Sequence, residues 1–353
     1  MAAMDAIRHH AFGPPEVLTL EQVPDPTPGP GQVLLAVAAH GVHLLDTTIR
    51  RGEAGGPLPL PALPTVPGRE VAGTVTGVGE GAPGSWVGRR VVAHLGPVRD
   101  GGGYARLAVV GADALHALPP GLDEADAVAM VGTGRMALMV LDVADVAAGD
   151  LVVVTAAAGG IGSLAVQSAL AAGAWVLALA GGPAKVRTVG DLVPDAGERL
   201  VVVDYRAPGW PDVARQGVAR LDASRRSATA RTGRPHTDGD AEPAGADVVL
   251  DGVGGDLGAG AAALLRPGGR LVVHGWSSGE ANPLATRRDV EVRNVVGPGA
   301  PDFGDLRPYR ERALARAASG EWRVLTHRVP LAEAARAHRE LEERRTTGKV
   351  VLV

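Results

Sequence analysis

The sequence predicts an α/β protein with a doubly wound parallel sheet and a second, barrel-like β domain. Three features lead to this prediction. Short β-branched runs alternate with Pro- and Gly-rich turns over residues 1–125. Strand-like and helix-like stretches then alternate over residues 126–300. At 353 residues the chain is also too long for one ordinary hydrophobic core, so two domains are expected.

The first domain is predicted from short apolar runs that are bounded by turn residues. No helix-period segment interrupts these runs for long, which is typical of a compact β domain. Residues 301–353, with helices over 305–318 and 331–344 and a strand over 349–353, are long enough to return to this domain and complete it. The other predicted strands are 32–38, 71–78, 90–94 and 104–110.

The second domain is predicted from a regular alternation of strands and helices. Parallel strands that are joined by helices form a sheet covered on both faces. The polar run 222–245 has no apolar period, and we expect it to form a flexible surface loop. The predicted strands are 151–154, 175–180, 200–203, 247–250, 270–274 and 291–296, and the predicted helices are 125–142, 161–172, 183–191, 211–221 and 257–265.

Residues 151–163 are the centre of this second domain. An apolar strand runs into small residues and glycines, which indicates a tight turn and a helix N-terminus. The amides and the dipole of such an N-terminus stabilise a bound pyrophosphate. The spacing from Ala156 is A-x-x-G-x-x-G rather than G-x-G-x-x-G, so an ordinary strand-to-helix turn is the alternative. The residues of this turn that we expect to contact a dinucleotide are Ala158, Gly159, Gly160, Ile161 and Gly162.

Composition excludes several classes of function. A net charge of −4 with 21% charged residues indicates a globular protein without a polyanion-binding surface, so nucleic acid is not an expected partner. The absence of cysteine excludes disulfides, thiolate catalysis and cysteine-ligated zinc. The N-terminus has no apolar signal segment and no run reaches membrane-spanning length, so we expect a cytoplasmic protein that is not bound to a membrane.

Ordered motifs cover nearly the whole chain. They are FGPPEVL at 12–18, GVHLLDTTIR at 41–50, VPGREVAG at 66–73, GYA at 103–105, AAAGGIGS at 156–163, VDYR at 203–206, DGVGG at 251–255, LRPGGR at 265–270 and GKVV at 348–351. Together they resemble the medium-chain dehydrogenase/reductase superfamily, and within it the zinc-independent quinone oxidoreductase and enoyl reductase branch. The resemblance implies a GroES-like first domain, a Rossmann second domain and a nicotinamide in a cleft between them. It also implies a homodimer formed through the edge strand 291–296.

The resemblance also favours NADPH as the cofactor. NAD-preferring sites usually carry a carboxylate at the end of the second strand, whereas this chain has ALAGG at 178–182 and none is expected there to repel a 2′-phosphate. Lys185 falls on the family's phosphate-binding lysine and Tyr205 on its adenosine-side tyrosine; the alternative for each is an ordinary solvent-exposed side chain. Gly275 and Trp276 would line the nicotinamide side, and Lys349 is expected to face the cofactor as well.

Related alcohol dehydrogenases use Cys and His ligands for zinc in the first domain. The positions that would supply them here hold His43 and Arg69, and an arginine cannot ligate zinc. Hydride transfer without a Lewis acid suits quinones and α,β-unsaturated carbonyl compounds, because charge that arrives at the β-carbon delocalises onto oxygen.

The first-domain motif departs from the branch pattern G-V-N-x-x-D-T-Y. His43 replaces the asparagine, Thr48 replaces the tyrosine, and GRMA at 134–137 replaces G-L-T-A. We expect Asp46, three residues after His43, to favour the charged imidazole and fix its tautomer, which would make His43 a proton donor or substrate anchor. The alternative is that His43 only hydrogen-bonds the backbone or the nicotinamide ribose. Arg135 would attract an anionic or carbonyl-bearing substrate, or else lie at the surface.

Taken together, these features predict an NADPH-dependent reductase of quinones or α,β-unsaturated carbonyl compounds. The alternative is a cofactor-binding protein on the same scaffold without redox chemistry, such as a cyclase of specialised metabolism. His43, Thr48 and Met136 keep this alternative open. The loops 50–61 and 93–103 would form the substrate pocket, and their conformation does not follow from the sequence.

Overall fold

The computed structural model describes residues 2–53, 59–96, 102–232 and 245–353. The chain divides into two compact units, one formed by Met1–Arg135 with Arg307–Val353 and the other by Met136–Leu306. The first unit extends past residue 125, the boundary predicted from the sequence, because the helix Glu124–Ala129 packs on strands of this unit.

The first unit is built on a mainly antiparallel sheet. Its strands are β1 (Ala3–Arg8), β2 (Thr19–Pro24), β3 (Gln32–Val42), β4 (Glu70–Val78), β5 (Arg90–His94), β6 (Leu107–Gly111), β7 (Leu115–Ala117), β14 (Thr326–Val329) and β15 (Lys349–Leu352). Its helices are α1 (Leu44–Arg51), α2 (Glu124–Ala129), a π-helical segment (Met130–Gly134), α8 (Arg307–Ala318) and α9 (Ala334–Glu342).

The strand order of this sheet is β14-β15-β3-β4-β5-β7, with β6 on β3 and a separate β1–β2 pair. β3 alternates buried and partly exposed residues along most of its first half, as expected for a strand with one face in a core. The buried side chains Val33, Leu35, Val71, Val91 and Leu115 form that core. The last strand, β15, pairs with β3, so the C-terminal segment completes this sheet.

The second unit is a doubly wound α/β domain. Its strands are β8 (Leu151–Val154), β9 (Trp175–Ala180), β10 (Leu200–Asp204), β11 (Ala246–Asp251), β12 (Leu265–Val273) and β13 (Glu291–Asn294). Its helices are α3 (Arg135–Ala144), α4 (Gly160–Ala171), α5 (Pro183–Leu192), α6 (Trp210–Thr232) and α7 (Gly255–Ala262). Short 3₁₀ segments of the two units lie at Pro15–Val17, Gly84–Trp86, Ala112–Ala114, Pro194–Arg199, Pro283–Thr286 and Leu331–Glu333.

All strand pairs of this second sheet are parallel, in the order β10-β9-β8-β11-β12-β13. Every residue of β8, β9 and β11 is buried, because helices cover both faces of central parallel strands. This arrangement confirms the predicted Rossmann sheet. The strand order reverses between β8 and β11, which is the place where open α/β sheets bind their ligands.

The loop predicted over 222–245 is wrong in its first part, because α6 continues to Thr232. Helical ion pairs replace the missing apolar period: Asp222 lies 2.6 Å from Arg225 and 2.9 Å from Arg226, one helical turn further on. Residues 233–244 lie outside the described residues.

One helical stretch meets the length and composition criterion for a membrane span, which corrects the expectation that no run reaches that length. It is Glu124–Ala144, with 21 residues and a mean hydropathy of 1.5 in its most apolar window. In the structure 72% of that window is buried. Helices in the core of a protein meet the same criterion, because neighbouring elements cover their apolar side chains.

Candidate functional site

The turn between β8 and α4 places backbone amides at the carboxyl end of the parallel sheet. Gly159 is the extended N-cap residue, and α4 begins at Gly160. The first amides of a helix have no partner within it, so those of Gly160, Ile161 and Gly162 are available to an anion. The structure therefore brings residues 158–162 together at one helix N-terminus, and their contact with a dinucleotide stays a prediction.

Gly162 is the residue at which this turn requires glycine. A Cβ there would lie 2.4 Å from the carbonyl oxygen of Ala156 and 2.9 Å from Cα of Ala157, so α4 packs directly on the turn. A Cβ at Gly159 would lie 3.1 Å from the same oxygen, which is a much milder contact. Ala156 itself has a φ of +47°, a left-handed conformation that costs a non-glycine residue about 1 kcal/mol.

Thr155 and Asp251 connect the two central strands at the switch point. The hydroxyl of Thr155 lies 3.2 Å from both Oδ1 of Asp251 and the carbonyl oxygen of Leu250. Asp251 is fully buried and also accepts the N–H of Val253 at 2.9 Å and the amide of Asn282 at 2.8 Å. These donors compensate the buried charge, so Asp251 holds the loop after β11 beside the glycine turn.

Lys185 and Tyr205 follow the neighbouring strands β9 and β10 at one edge of the sheet. Lys185 is in the first turn of α5, and the Tyr205 hydroxyl lies so close to Gly181 that a Cβ on this glycine would be 2.5 Å from it. The expectation that no carboxylate lies here is wrong, because Oδ1 of Asp204 accepts the N–H of Gly182 at 2.7 Å. This carboxylate comes from β10, so the residues of β9 cannot reveal it.

Gly275 and Trp276 follow β12, the strand beside β11. Burial lowers the pKa of the preceding His274 to about 4 although Asp251 attracts its charge, so the imidazole is neutral at pH 7. The backbone N–H of His274 donates to the carbonyl of Asp251 at 2.9 Å, which ties this segment to the switch point. Trp276 is 50% exposed, an unusual state for so large an apolar side chain. The predicted contact of Gly275 and Trp276 with a nicotinamide is untested.

In the first unit the imidazole of His43 pairs with Glu70. His43 directly precedes α1, and its Nε2 lies 2.6 Å from Oε1 of Glu70. The two residues meet because β3 and β4 are paired, with Gly41 opposite Glu70. The His43 side chain is 24% exposed whereas that of Glu70 is 0% exposed. One edge of the imidazole is therefore held by a buried carboxylate while part of the ring reaches solvent.

Glu70 has a second cationic partner in Lys349, the first residue of β15. Nζ of Lys349 lies 2.9 Å from Oε2 of Glu70, and both side chains are buried. Burial raises the pKa of Glu70, but the charges of His43 and Lys349 outweigh it and hold this pKa well below 4.5. Burial lowers the pKa of Lys349, and Glu70 opposes that change. The sequence does not foresee this pair, and contact of Lys349 with a cofactor stays a prediction.

Two glycines complete the surroundings of the Glu70 carboxylate. A Cβ at Gly132, in the π-helical segment, would lie 1.5 Å from Oε1, and one at Gly41 would lie 2.3 Å from Oε2. The carboxylate is therefore packed against main chain on both sides. Single turns of π-helix often occur at functional sites, and here the π-helix carries the glycine that makes room for Glu70.

The predicted pairing of Asp46 with the His43 imidazole is wrong. Oδ2 of Asp46 accepts the backbone N–H of His43 at 2.7 Å, because Asp46 is the third residue of the helix that His43 caps. Its carboxylate also lies 3.4 Å from Nε of Arg69 and 3.3 Å from the Tyr104 hydroxyl. Asp46 therefore fixes the backbone at His43, and Glu70 is the partner of the ring.

The remaining polar residues near this cluster have defined roles. The Thr48 hydroxyl lies 3.4 Å from the carbonyl of Leu44 in its own helix. Arg135 is partly buried rather than at the open surface; burial lowers the pKa of its guanidinium and the charge of Glu70 opposes this. Burial also lowers the pKa of His94 to about 4 in spite of the attraction of Glu70, so His94 is neutral at pH 7.

Two segments of the chain match known families. Residues 29–120 match the alcohol dehydrogenase GroES-like domain, and residues 221–352 match the zinc-binding dehydrogenases. The chain is also 32% identical to a quinone oxidoreductase from Pseudomonas aeruginosa, in an alignment that covers 98% of each protein. The protein belongs to the medium-chain dehydrogenase/reductase superfamily, in its quinone oxidoreductase branch. This confirms the family and the GroES-like and Rossmann folds that the motifs predict.

Other members of the superfamily agree with this assignment. A 2-haloacrylate reductase from a Burkholderia species is 31% identical, and the alignment covers 98% of this chain and 97% of the relative. The crystal structure of Escherichia coli quinone oxidoreductase complexed with NADPH has a TM-score of 0.75 and 26% identity, with 99% of each chain covered. This member of the superfamily is therefore an oxidoreductase.

The zinc-binding dehydrogenase match makes zinc a question for this member. Zinc is held by Cys, His, Asp or Glu side chains, and the chain has no cysteine. Within residues 2–53, 59–96, 102–232 and 245–353, no three such side chains form a group that would hold a metal ion. His43 is paired with Glu70, and Arg69 with Asp46. The described residues do not fit a zinc centre.

Sequence reasoning missed Glu70, which the structure places at the centre of the first-unit cluster. A signal exists in the sequence, since Glu70 is a single carboxylate at the start of the apolar run 70–73. A charged residue in such a run requires partners if it is buried. The sequence does not show that these partners come from positions 43 and 349, because only the strand pairing brings them together.

Proposed function

We propose that this protein is a zinc-independent, NADPH-dependent reductase of quinones or α,β-unsaturated carbonyl compounds. The observation that carries the proposal is full-length similarity to relatives named quinone oxidoreductase and 2-haloacrylate reductase. Quinones and 2-haloacrylates share a C=C bond conjugated to a carbonyl group. One chemistry therefore serves both substrates, with hydride added to one end of the conjugated system and a proton to the other.

Two groups of residues would hold the cofactor. The amides of residues 160–162 would bind the pyrophosphate, and Lys185 with Tyr205 would bind the adenosine side and its 2′-phosphate. Gly275 and Trp276 would lie on the nicotinamide side. When bound, NADPH supplies the hydride from C4 of its nicotinamide.

His43 would donate the proton. Its imidazole is partly exposed, and its ion pair with the ionised Glu70 stabilises the charged ring that a donor requires. The bond between Asp46 and the His43 backbone keeps the start of α1 in place, so the ring is presented from an ordered helix end. Proton delivery to the substrate oxygen stabilises the charge that accumulates there and contributes to the rate.

A coupled assay tests the proposal directly. We expect loss of the NADPH absorbance with benzoquinone, cyclohexenone and 2-chloroacrylate, and none with a saturated ketone as the matched control. Binding of NADPH is measured separately by calorimetry. Tight binding without turnover of any acceptor would favour the cofactor-binding cyclase, and absence of binding would refute the proposal as a whole.

Replacing Lys185 with alanine is expected to raise KM for NADPH at least about tenfold and to change KM for NADH less than about twofold, because only NADPH has the 2′-phosphate. The charge of Asp204 in the same turn makes the lysine more important, since an uncompensated carboxylate repels phosphate. Arg187→Ala is the matched control, as it removes one positive charge from the same helix two residues further on, where a side chain points in another direction. Equal losses for both nucleotides would exclude the proposed role of Lys185.

We also propose a cytoplasmic homodimer. β13 is an edge strand of the parallel sheet, so one side of it has unpaired backbone groups that a second copy can use. Sedimentation equilibrium is expected to give twice the chain mass of 35.9 kDa. A single species at the chain mass over the accessible concentration range would exclude the dimer.

A further inference from the structure

The structure distinguishes the two nitrogens of the His43 ring. Nε2 lies 2.6 Å from Oε1 of Glu70. At this distance the nitrogen carries a hydrogen that it donates to the carboxylate. Nδ1 is therefore the nitrogen that is left to exchange a proton with another molecule.

The carboxylate that makes this distinction cannot move easily. A Cβ at Gly132 or Gly41 would collide with Oε1 or Oε2, so the carboxylate lies directly on main chain at both oxygens. Lys349 contacts the oxygen that does not face His43. Each oxygen of Glu70 thus has one cationic partner, and β3, β4 and β15, which carry or border these residues, are paired in one sheet.

Further charged groups act on the same carboxylate. Arg135 is attracted by Glu70, whereas His94 is buried and neutral at pH 7. Asp46 and Arg69, which face Lys349 from α1 and β4, carry opposite charges and are paired with each other at 3.4 Å. The cations around Glu70 therefore exceed the anions, and a carboxylate in such surroundings stays ionised when the imidazole charge is lost.

We propose that Glu70 is a positioning residue that binds Nε2–H of His43 and leaves Nδ1 as the atom that delivers the proton, with Lys349 as the counter-ion that keeps Glu70 a carboxylate. The inference rests on the proposed function, in which His43 is the donor. In the step itself the Nδ1–H bond of the imidazolium breaks and an O–H bond forms on the reduced substrate, whose electron pair comes from the hydride of NADPH. His43 is left neutral with its hydrogen on Nε2, and water returns the proton to Nδ1.

The first test measures the hydrogen on the His43 ring and requires no turnover. Nitrogen NMR of protein labelled in its histidines, with His43 identified by its loss in His43→Asn, is expected to show the neutral ring as the Nε2–H form. The variant Glu70→Leu/Lys349→Met removes both buried charges together, and such replacements by apolar residues are tolerated far better than removal of one partner. In this variant His43 is expected to show a mixture of the two neutral forms. An Nδ1–H form in the unmodified protein, or an unchanged ring in the variant, would overturn the inference.

The second test is a double-mutant cycle on kcat. Glu70→Gln, which keeps the shape of the side chain, is expected to lower kcat at least about tenfold in the natural protein and less than about twofold when His43 is already asparagine. A merely structural role would lower kcat equally in both backgrounds, and that result would overturn the inference. Because the NMR test is made without substrate, failure of the proposed reductase activity and failure of the role of Glu70 give separate results.

Discussion

Gly162→Ala is expected to lower the free energy of unfolding by about 2–3 kcal/mol and to weaken NADPH binding at least about 100-fold. The added Cβ would lie 2.4 Å from the carbonyl oxygen of Ala156, and this backbone atom cannot rotate away as a flexible side chain could. Ala156 is already in the left-handed region, so the turn has little freedom to adjust. Helix α4 would move away from the turn, and its amides would no longer converge on one anion. Thermal unfolding and calorimetric titration with NADPH measure the two effects.

Gly159→Ala is the matched comparison in the same turn. Its Cβ would lie 3.1 Å from the same oxygen, at a residue with an ordinary extended conformation, so we expect a loss of stability below about 1 kcal/mol. Its affinity for NADPH is nevertheless expected to fall, because the Cβ stands beside the amides proposed to hold the pyrophosphate. If Gly162→Ala were as stable as the natural protein and bound NADPH normally, the proposed packing and site at this turn would be incorrect.

His43→Asn is expected to lower kcat about 100-fold while KM for NADPH changes little, which is the usual contribution of a positioned proton donor. Asparagine is neutral and does not replace a titrating imidazole. The substitution also removes the positive charge on Oε1 of Glu70, but Lys349 still compensates this carboxylate from its other oxygen. The decline of kcat at high pH, where the charged imidazole is lost, should disappear together with the ring.

The double variant His43→Asn/Thr48→Tyr provides the control for this prediction. It restores the asparagine and tyrosine that the branch pattern has at these positions, and we expect it to recover part of the lost turnover if histidine and tyrosine are alternative donors. Unaltered kcat in His43→Asn alone would remove His43 from the mechanism. Circular dichroism and thermal unfolding of each variant show whether a loss reflects chemistry or folding.

Much of the fold follows from local patterns in the chain. The strands β5 and β9 have the predicted bounds, and β8 is the predicted apolar run before the glycines. Such runs are recognisable because a strand buried on both faces has to be apolar throughout. Patterns of this kind fail for α6, whose continuation past residue 222 is stabilised by ion pairs between side chains one turn apart rather than by an apolar face.

The candidate site is only partly accessible from the sequence. His43 is found as a departure from a family motif, and the glycine turn from its position after an apolar strand. Its partner is misassigned to Asp46, because closeness in sequence suggests contact while the cap of α1 directs that carboxylate to the backbone. Asp204 is missed for a related reason, since it reaches the end of β9 from the adjacent strand.

By itself, the sequence determines the two domain types, the dinucleotide turn and the identity of the unusual residue at position 43, because each depends on residues that are near one another in the chain. The tertiary structure alone decides that Glu70 joins His43 to Lys349. These three residues lie on or beside β4, β3 and β15, and their charges meet only when the three strands are paired. Charge compensation in a protein core depends on distances through space, and strand pairing across more than 300 residues sets those distances.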